Sequence, residues 1–121
     1  MRKAILLCAA VAVPICSCTG MKTGGLTVRG GDPVYYGCGN GERIVARYYS
    51  LSDDSLRFVK VIMPDGREYT LPNVISGSGA RYTDELEKVW WTKGNTGFVQ
   101  ARDRNGDWQI EYRDCLEISE K

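Results

Sequence analysis

The stretch Ile75-Ser76-Gly77-Ser78-Gly79-Ala80-Arg81-Tyr82, followed shortly by Trp90-Trp91-Thr92-Lys93-Gly94, organises the reading of this chain. Its first half is a Gly/Ser loop with almost no side-chain bulk. Gly77 and Gly79 can take backbone angles closed to other residues, which places Ser78 at the tip of a tight, protruding turn. Arg81 and Tyr82 read as the start of a strand, where Tyr82 can brace the loop with its ring and hydroxyl. Trp90 and Trp91 read as a further strand that ends in a second turn at Gly94, with the Lys93 ammonium at its edge. Alternation along a strand sends the two tryptophans to opposite faces. A hydroxyl on one loop and a cation on the next form a small polar probe and not a pocket.

Outward from this stretch the chain reads as short strands joined by turns. Residues 34–38 are β-branched and aromatic and end at Gly39-Asn40-Gly41. Residues 43–49 alternate Ile44, Ala46 and Tyr48 against Arg43, Val45, Arg47 and Tyr49. Ser52-Asp53-Asp54-Ser55 turns the chain into 56–63, which Pro64-Asp65-Gly66 closes. Residues 67–71 follow and stop before Pro72. Segments 80–83, 86–92, 97–102 and 107–113 complete the set, with Asn105-Gly106 as a two-residue hairpin turn. No window carries an amphipathic helix, although 84–88 has the length for one helical turn. The expected fold class is all-β: a small eight-stranded antiparallel β-barrel. Its interior is filled by side chains, with room for at most one small ligand. Trp90, Trp91 and Trp108 are the first candidates for its core.

The 121 residues suit one domain, and their seven Tyr, three Trp and fourteen Gly suit a β fold. There is no histidine, which removes the commonest general base and the commonest metal ligand. Positive and negative side chains nearly cancel, and no basic stripe argues for a nucleic-acid partner.

Met1-Arg2-Lys3 is a positive n-region and residues 4–13 are an apolar h-region, together an export signal over 1–17. Ile15 stands three before Cys18 and the small Ser17 just before it, so the segment resembles a bacterial lipobox. Cys18 is then the lipidated first residue of the mature chain, anchoring it to a membrane. Cys16 does not fit, because Pro14 and Ile15 precede it. Thr19, in place of an acidic residue, points to the outer membrane. Loss of the signal removes Arg2 and Lys3 and no acid, leaving 14 basic residues against 15 acidic ones. Residues 18–32 are Gly-rich and polar and read as a tether without fixed structure, with a reach of about 20 Å. The folded domain is expected over 33–117, with a tail at 118–121.

Three candidate sites are weaker than their bland readings. Asp103, Asn105 and Asp107 have the spacing that starts a calcium loop, but Trp108 stands where glycine is needed and Asp114 where glutamate is needed. Asp53-Asp54 and Asp84-Glu85-Glu87 sit in turns and read as solvated carboxylates. Ser78 and Lys93 lack a Ser-x-x-Lys spacing, and a lysine at an exposed turn stays protonated, so a catalytic dyad is not supported. The chain reads as a non-enzyme with no cofactor and no metal.

Ser76-Gly77-Ser78-Gly79-Ala80-Arg81-Tyr82 and Trp91-Thr92-Lys93-Gly94 resemble the two signature loops of the membrane-bound inhibitors of c-type lysozyme. The likeness extends to Tyr36-Gly37-Cys38-Gly39-Asn40-Gly41, to Leu71 and Val74, and to Cys115. It departs at Glu85-Leu86-Glu87-Lys88, one residue longer than the family's usual turn, and at Trp90, where the family usually has Phe. The resemblance implies a bacterial lipoprotein barrel facing the periplasm, with a c-type lysozyme as its protein partner. Such an enzyme works with one protonated and one ionised carboxyl across a cleft. By position, Lys93 would meet the ionised carboxylate and Ser78 the protonated one. Gly77, Gly79 and Gly94 would let the backbone approach closely, and Ala80, Arg81, Tyr82, Trp91 and Thr92 would support the loops. The other class of reading is an envelope lipoprotein whose barrel holds a small ligand or an assembly partner. The two differ in where the polar residues point: outward on two loops, or into a cavity.

Cys8 and Cys16 leave with the signal and Cys18 takes the lipid, so Cys38 and Cys115 remain in a compartment that permits disulfides. A bond between them would join the first strand to the segment after the last. In the chain-entropy model it adds up to ~4.5 kcal/mol. The alternative is two buried thiols.

Overall fold

The computed structural model describes residues 25–119; the expected export signal over 1–17 and Cys18 lie outside the described residues. Eight strands follow one another: β1 (Val28–Gly37), β2 (Arg43–Leu51), β3 (Arg57–Ile62), β4 (Glu68–Val74), β5 (Ala80–Thr83), β6 (Lys88–Lys93), β7 (Thr96–Arg102) and β8 (Trp108–Ile118). Each pairs antiparallel with the next, and β8 pairs back onto β1, so the sheet closes as a barrel. The closing seam is short, with Tyr35, Tyr36 and Gly37 facing Ile118, Glu117 and Leu116. Cys38 and Cys115 are joined by a disulfide beside that seam. The staple therefore reinforces the seam that turns the sheet into a closed cylinder.

Alternation fills the interior. Ile44, Ala46, Val59, Val61, Leu71, Trp90 and Val99 are fully buried there. Two tyrosines and a tryptophan bring polar atoms into this core and satisfy one another there. Trp90 Nε1 donates to the Tyr48 hydroxyl at 2.9 Å, and the Tyr36 and Tyr48 hydroxyls are 2.9 Å apart. The Tyr36 ring meets Trp90 edge-on at 4.9 Å, so the polar contacts and ring packing fix each other.

Three hairpins share one turn. The carbonyls of Cys38, Met63 and Asp103 accept from the amides of Gly41, Gly66 and Gly106, and each glycine has a positive φ. This is a type I turn with a bulge glycine, in a three-residue loop. The Asn105-Gly106 pair is therefore not the two-residue turn expected: Arg104 and Asn105 are central and Gly106 is the bulge. Asp103 decides this, because its carboxylate accepts from the amides of Asn105 and Asp107. The same bonds make the calcium-like spacing a turn cap. Residues 84–88 form no helical turn either; Asp84 Oδ1 accepts from the amides of Leu86, Glu87 and Lys88.

Other boundaries move as well. β1 starts at Val28, inside the segment expected to be tether, so residues 28–32 belong to the barrel. Gly30 and Gly31, with φ of 97° and 106°, form a bulge there instead of marking flexible chain. Arg47 Nη1 ties it down by donating to the Gly31 carbonyl at 2.7 Å. β4 continues through Pro72, because β5 pairs only with Asn73 and Val74 and leaves the strand edge open beside the proline. β8 runs on to Ile118, past the expected end at 113 and the expected domain end at 117. Of the three tryptophans only Trp90 is core. Trp91 is half-buried on the outer face, and Trp108 lies outside under the Arg102 guanidinium, 4.3 Å from its ring centroid.

Candidate functional site

The loop between β4 and β5 and the turn between β6 and β7 lie at the same end of the barrel. The register sets this: Ala80 faces Thr92 and Arg81 faces Trp91, in four unbroken pairs that end at Thr83 and Val89. The extra residue of the Glu85–Lys88 turn sits at the opposite end of these strands. It leaves the relation between the two loops untouched.

Each loop is held by its own chemistry. In the first, the Ser76 hydroxyl lies 3.0 Å from the Gly79 carbonyl and 3.2 Å from that of Ser78, and donates to this pair. Gly79 has φ of 69°, as its place in the sequence suggested, whereas Gly77 needs no positive φ and has open space around it. In the second, Lys93 and Thr96 are paired across Gly94-Asn95, with Gly94 at a φ of 62°. Glycine at the first central position is what a type II′ hairpin requires. The Thr96 hydroxyl also donates to the Lys93 carbonyl at 2.9 Å.

The loops also hold each other. A Cβ on Gly79 would fall inside contact distance of the Thr92 carbonyl oxygen, so only glycine allows this approach. Trp91 Nε1 donates to the Ser78 carbonyl at 3.0 Å. Behind it, the Arg81 guanidinium lies 5.5 Å from the Trp91 ring centroid and Phe98 stacks on the other side at 5.8 Å. Arg81 is steadied in turn by Glu85 at 3.5 Å. Tyr82 has a different part: it is buried and packs on Tyr48, anchoring β5 to the core.

The backbone of Ser78 is thus engaged while its hydroxyl takes no part in the loop's bonds. Lys93 is exposed, and among the described residues no carboxylate pairs with it. Ile75, at the loop's entry, is 98% exposed. The two groups picked from the sequence are both exposed at this end of the barrel, and neither has a side-chain partner among the described residues. Sequence reasoning did not reach the surface next to them. Ser78, Trp91 and Lys93 form one side of a groove of about 750 Å³ whose floor and far wall include Phe98, Ile110, Arg113 and Leu116.

The structure thus defines a small protein of the closed antiparallel β-barrel class, filled by its own side chains, with two coupled loops at one end. The family model for the membrane-bound lysozyme-inhibitor of c-type lysozyme, MliC, matches residues 36–108, and the chain belongs to this family. A membrane-bound lysozyme inhibitor of C-type lysozyme from Yersinia enterocolitica is 33% identical over 84 residues, 69% of this chain and 62% of that protein. The chain thus spans less than two thirds of that relative's length. Among solved structures, Pseudomonas aeruginosa MliC in complex with hen egg white lysozyme shares the fold. The TM-score is 0.56 at 24% identity, covering 97% of this chain and all of that one.

Proposed function

We propose that the protein inhibits c-type lysozyme by inserting the Ser78 and Lys93 loops into the active-site cleft. The observation that carries this is the coupling at Gly79 and Trp91, which presents from one tip a hydroxyl and an ammonium that have no side-chain partner among the described residues. Lys93, a compact cation with three donors, meets the ionised catalytic carboxylate. Ser78, able to donate or accept, meets the protonated one. Gly77 and Gly94 leave space where a branched side chain would collide with the cleft walls. The protein performs no catalysis of its own. Family membership supports attachment to a membrane; lipid on Cys18, in the outer membrane and facing the periplasm, is the arrangement proposed here. Such a tether would hold the barrel beside the peptidoglycan that lysozyme cuts. The carrier reading has less support, because Trp90, Ile44 and Leu71 occupy the interior that a small ligand would need.

A cell-wall clearing assay tests the proposal. The full chain, purified in detergent, is titrated into a c-type lysozyme beside Lys93→Ala and Ser78→Ala. Stoichiometric loss of clearing that both substitutions relieve is expected. Full clearing at large molar excess of the folded protein would reject inhibition.

A further inference from the structure

The groove beside the loops is built by β8. Gly97 of β7 faces Cys115 and Val99 faces Tyr112, so two steps along β7 match three along β8; one extra residue lies at Arg113-Asp114. Asp114 takes it up with a φ of 54°. A second irregularity follows at once, where Gln100 faces Ile110. Bulges of this kind bend a strand and re-aim its side chains. The outside of a small barrel is otherwise convex; here it is hollowed. The hollow is lined by Trp91, Phe98, Ile110 and Leu116, and its near end is formed by Ser78 and Lys93. Ile110 and Leu116 are 46% and 47% exposed, an unusual cost on a face otherwise carrying Arg113 and Asp114.

We infer that this groove is a second docking element for the lysozyme, taking an apolar ridge on the lip of the cleft whose floor the two loops reach. The inference rests on the inhibitory reading above. Its warrant is continuity: Ser78 and Lys93 belong to both surfaces, so a partner that covers them with its catalytic carboxyls lies over the groove mouth. The loops supply charge recognition, and the groove supplies apolar area beside it, in the arrangement of a desolvated anchor next to a polar contact. The groove would act mainly on the lifetime of the complex, since it carries little net charge to steer the encounter.

The test is surface-plasmon binding of the full chain to a c-type lysozyme. Ile110→Glu and Leu116→Glu place a charge in the groove at positions open enough to spare the fold, and Ile110→Gln repeats the first without charge. Leu86→Glu is the control, a 74% exposed leucine at the other end of the barrel. The groove variants are expected to raise Kd about tenfold each, almost wholly through faster dissociation, with Leu86→Glu unchanged. If Lys93→Ala weakens binding while the groove variants match wild type, the groove inference fails and the loop reading stands. If wild type does not bind, both fall. If wild type self-associates, and Ile110→Glu makes it monomeric at unchanged lysozyme affinity, the groove belongs to a second copy and the inference is overturned.

Discussion

Gly79 rests against the carbonyl oxygen of Thr92, at a separation and a φ of 69° that exclude any side chain. This contact makes one site of two loops. An alanine at 79 must adopt left-handed backbone at a cost of about 1–2 kcal/mol, and must also push the Ser78 loop off the Lys93 strand. Gly79→Ala should weaken lysozyme inhibition at least tenfold with the barrel intact by circular dichroism. Gly77→Ala, with open space and no positive φ, should leave the melting temperature unchanged.

Lys93→Ala should be the more damaging of the two tip substitutions. Truncating a desolvated charged partner at an interface costs about 2–5 kcal/mol, whereas a hydroxyl bond contributes about 1 kcal/mol. Inhibition constants for Lys93→Ala and Ser78→Ala check the order. Because the side-chain charges nearly cancel, with 16 basic residues against 15 acidic ones, association should vary little between low and moderate salt.

Trp91→Phe keeps a ring between Arg81 and Phe98 but deletes the bond to the Ser78 carbonyl. The expected cost is about 1 kcal/mol, confined to the loop. Amide exchange should accelerate around 76–79 and stay slow in the barrel strands, with a matching loss of inhibition.

Alkali should unfold the barrel through its core tyrosines. Burial pushes the Tyr48, Tyr36 and Tyr82 hydroxyls above the ordinary phenol value of 10.0. The folded state therefore keeps protons that the unfolded chain releases above that value. Stability is unaffected below it and falls as pH rises past it. Tyrosinate absorbance should rise in two stages, exposed residues first and the buried three together with loss of strand signal. A single non-cooperative titration would contradict this.

On the acid side the turn cap at Asp84 is the weak point. Burial raises its pKa, but the amides of Glu87, Leu86 and Lys88 outweigh burial and hold it below the usual carboxylate value. A depressed folded pKa contributes stability above the unfolded value of about 3.9 and loses it as pH falls through the folded one. Asp84→Ala should cost about 1 kcal/mol at neutral pH, read as a melting shift of about 4–8 °C, and the difference from wild type should shrink in acid.

Much of this was legible along the chain. Alternation at Ile44, Ala46 and Tyr48 gave the inward face of β2, and the opposed faces of Trp90 and Trp91 followed from adjacency alone. The disulfide partners were readable too, from the few cysteines an exported chain would keep. Glycines were where local reading failed. Gly30 and Gly31 look like linker in sequence, yet they form a strand bulge in which the Tyr48 carbonyl and the Tyr49 ring leave no room for a Cβ. Gly106 looked central to its turn, and the Asp103 carboxylate displaced it to the bulge.

The sequence by itself determined most of the strands, their antiparallel succession and the two Gly-containing loops that link β4 to β5 and β6 to β7, because each depends on neighbours a few positions apart. Only the tertiary structure decided how those loops meet and what lies beside them. The approach of Gly79 to Thr92 and the hollow made by the β8 bulges at Arg113-Asp114 are matters of register between strands. Register is settled by the whole barrel closing on itself through Tyr36, Trp90 and the Cys38–Cys115 bond, and no local pattern encodes that closure.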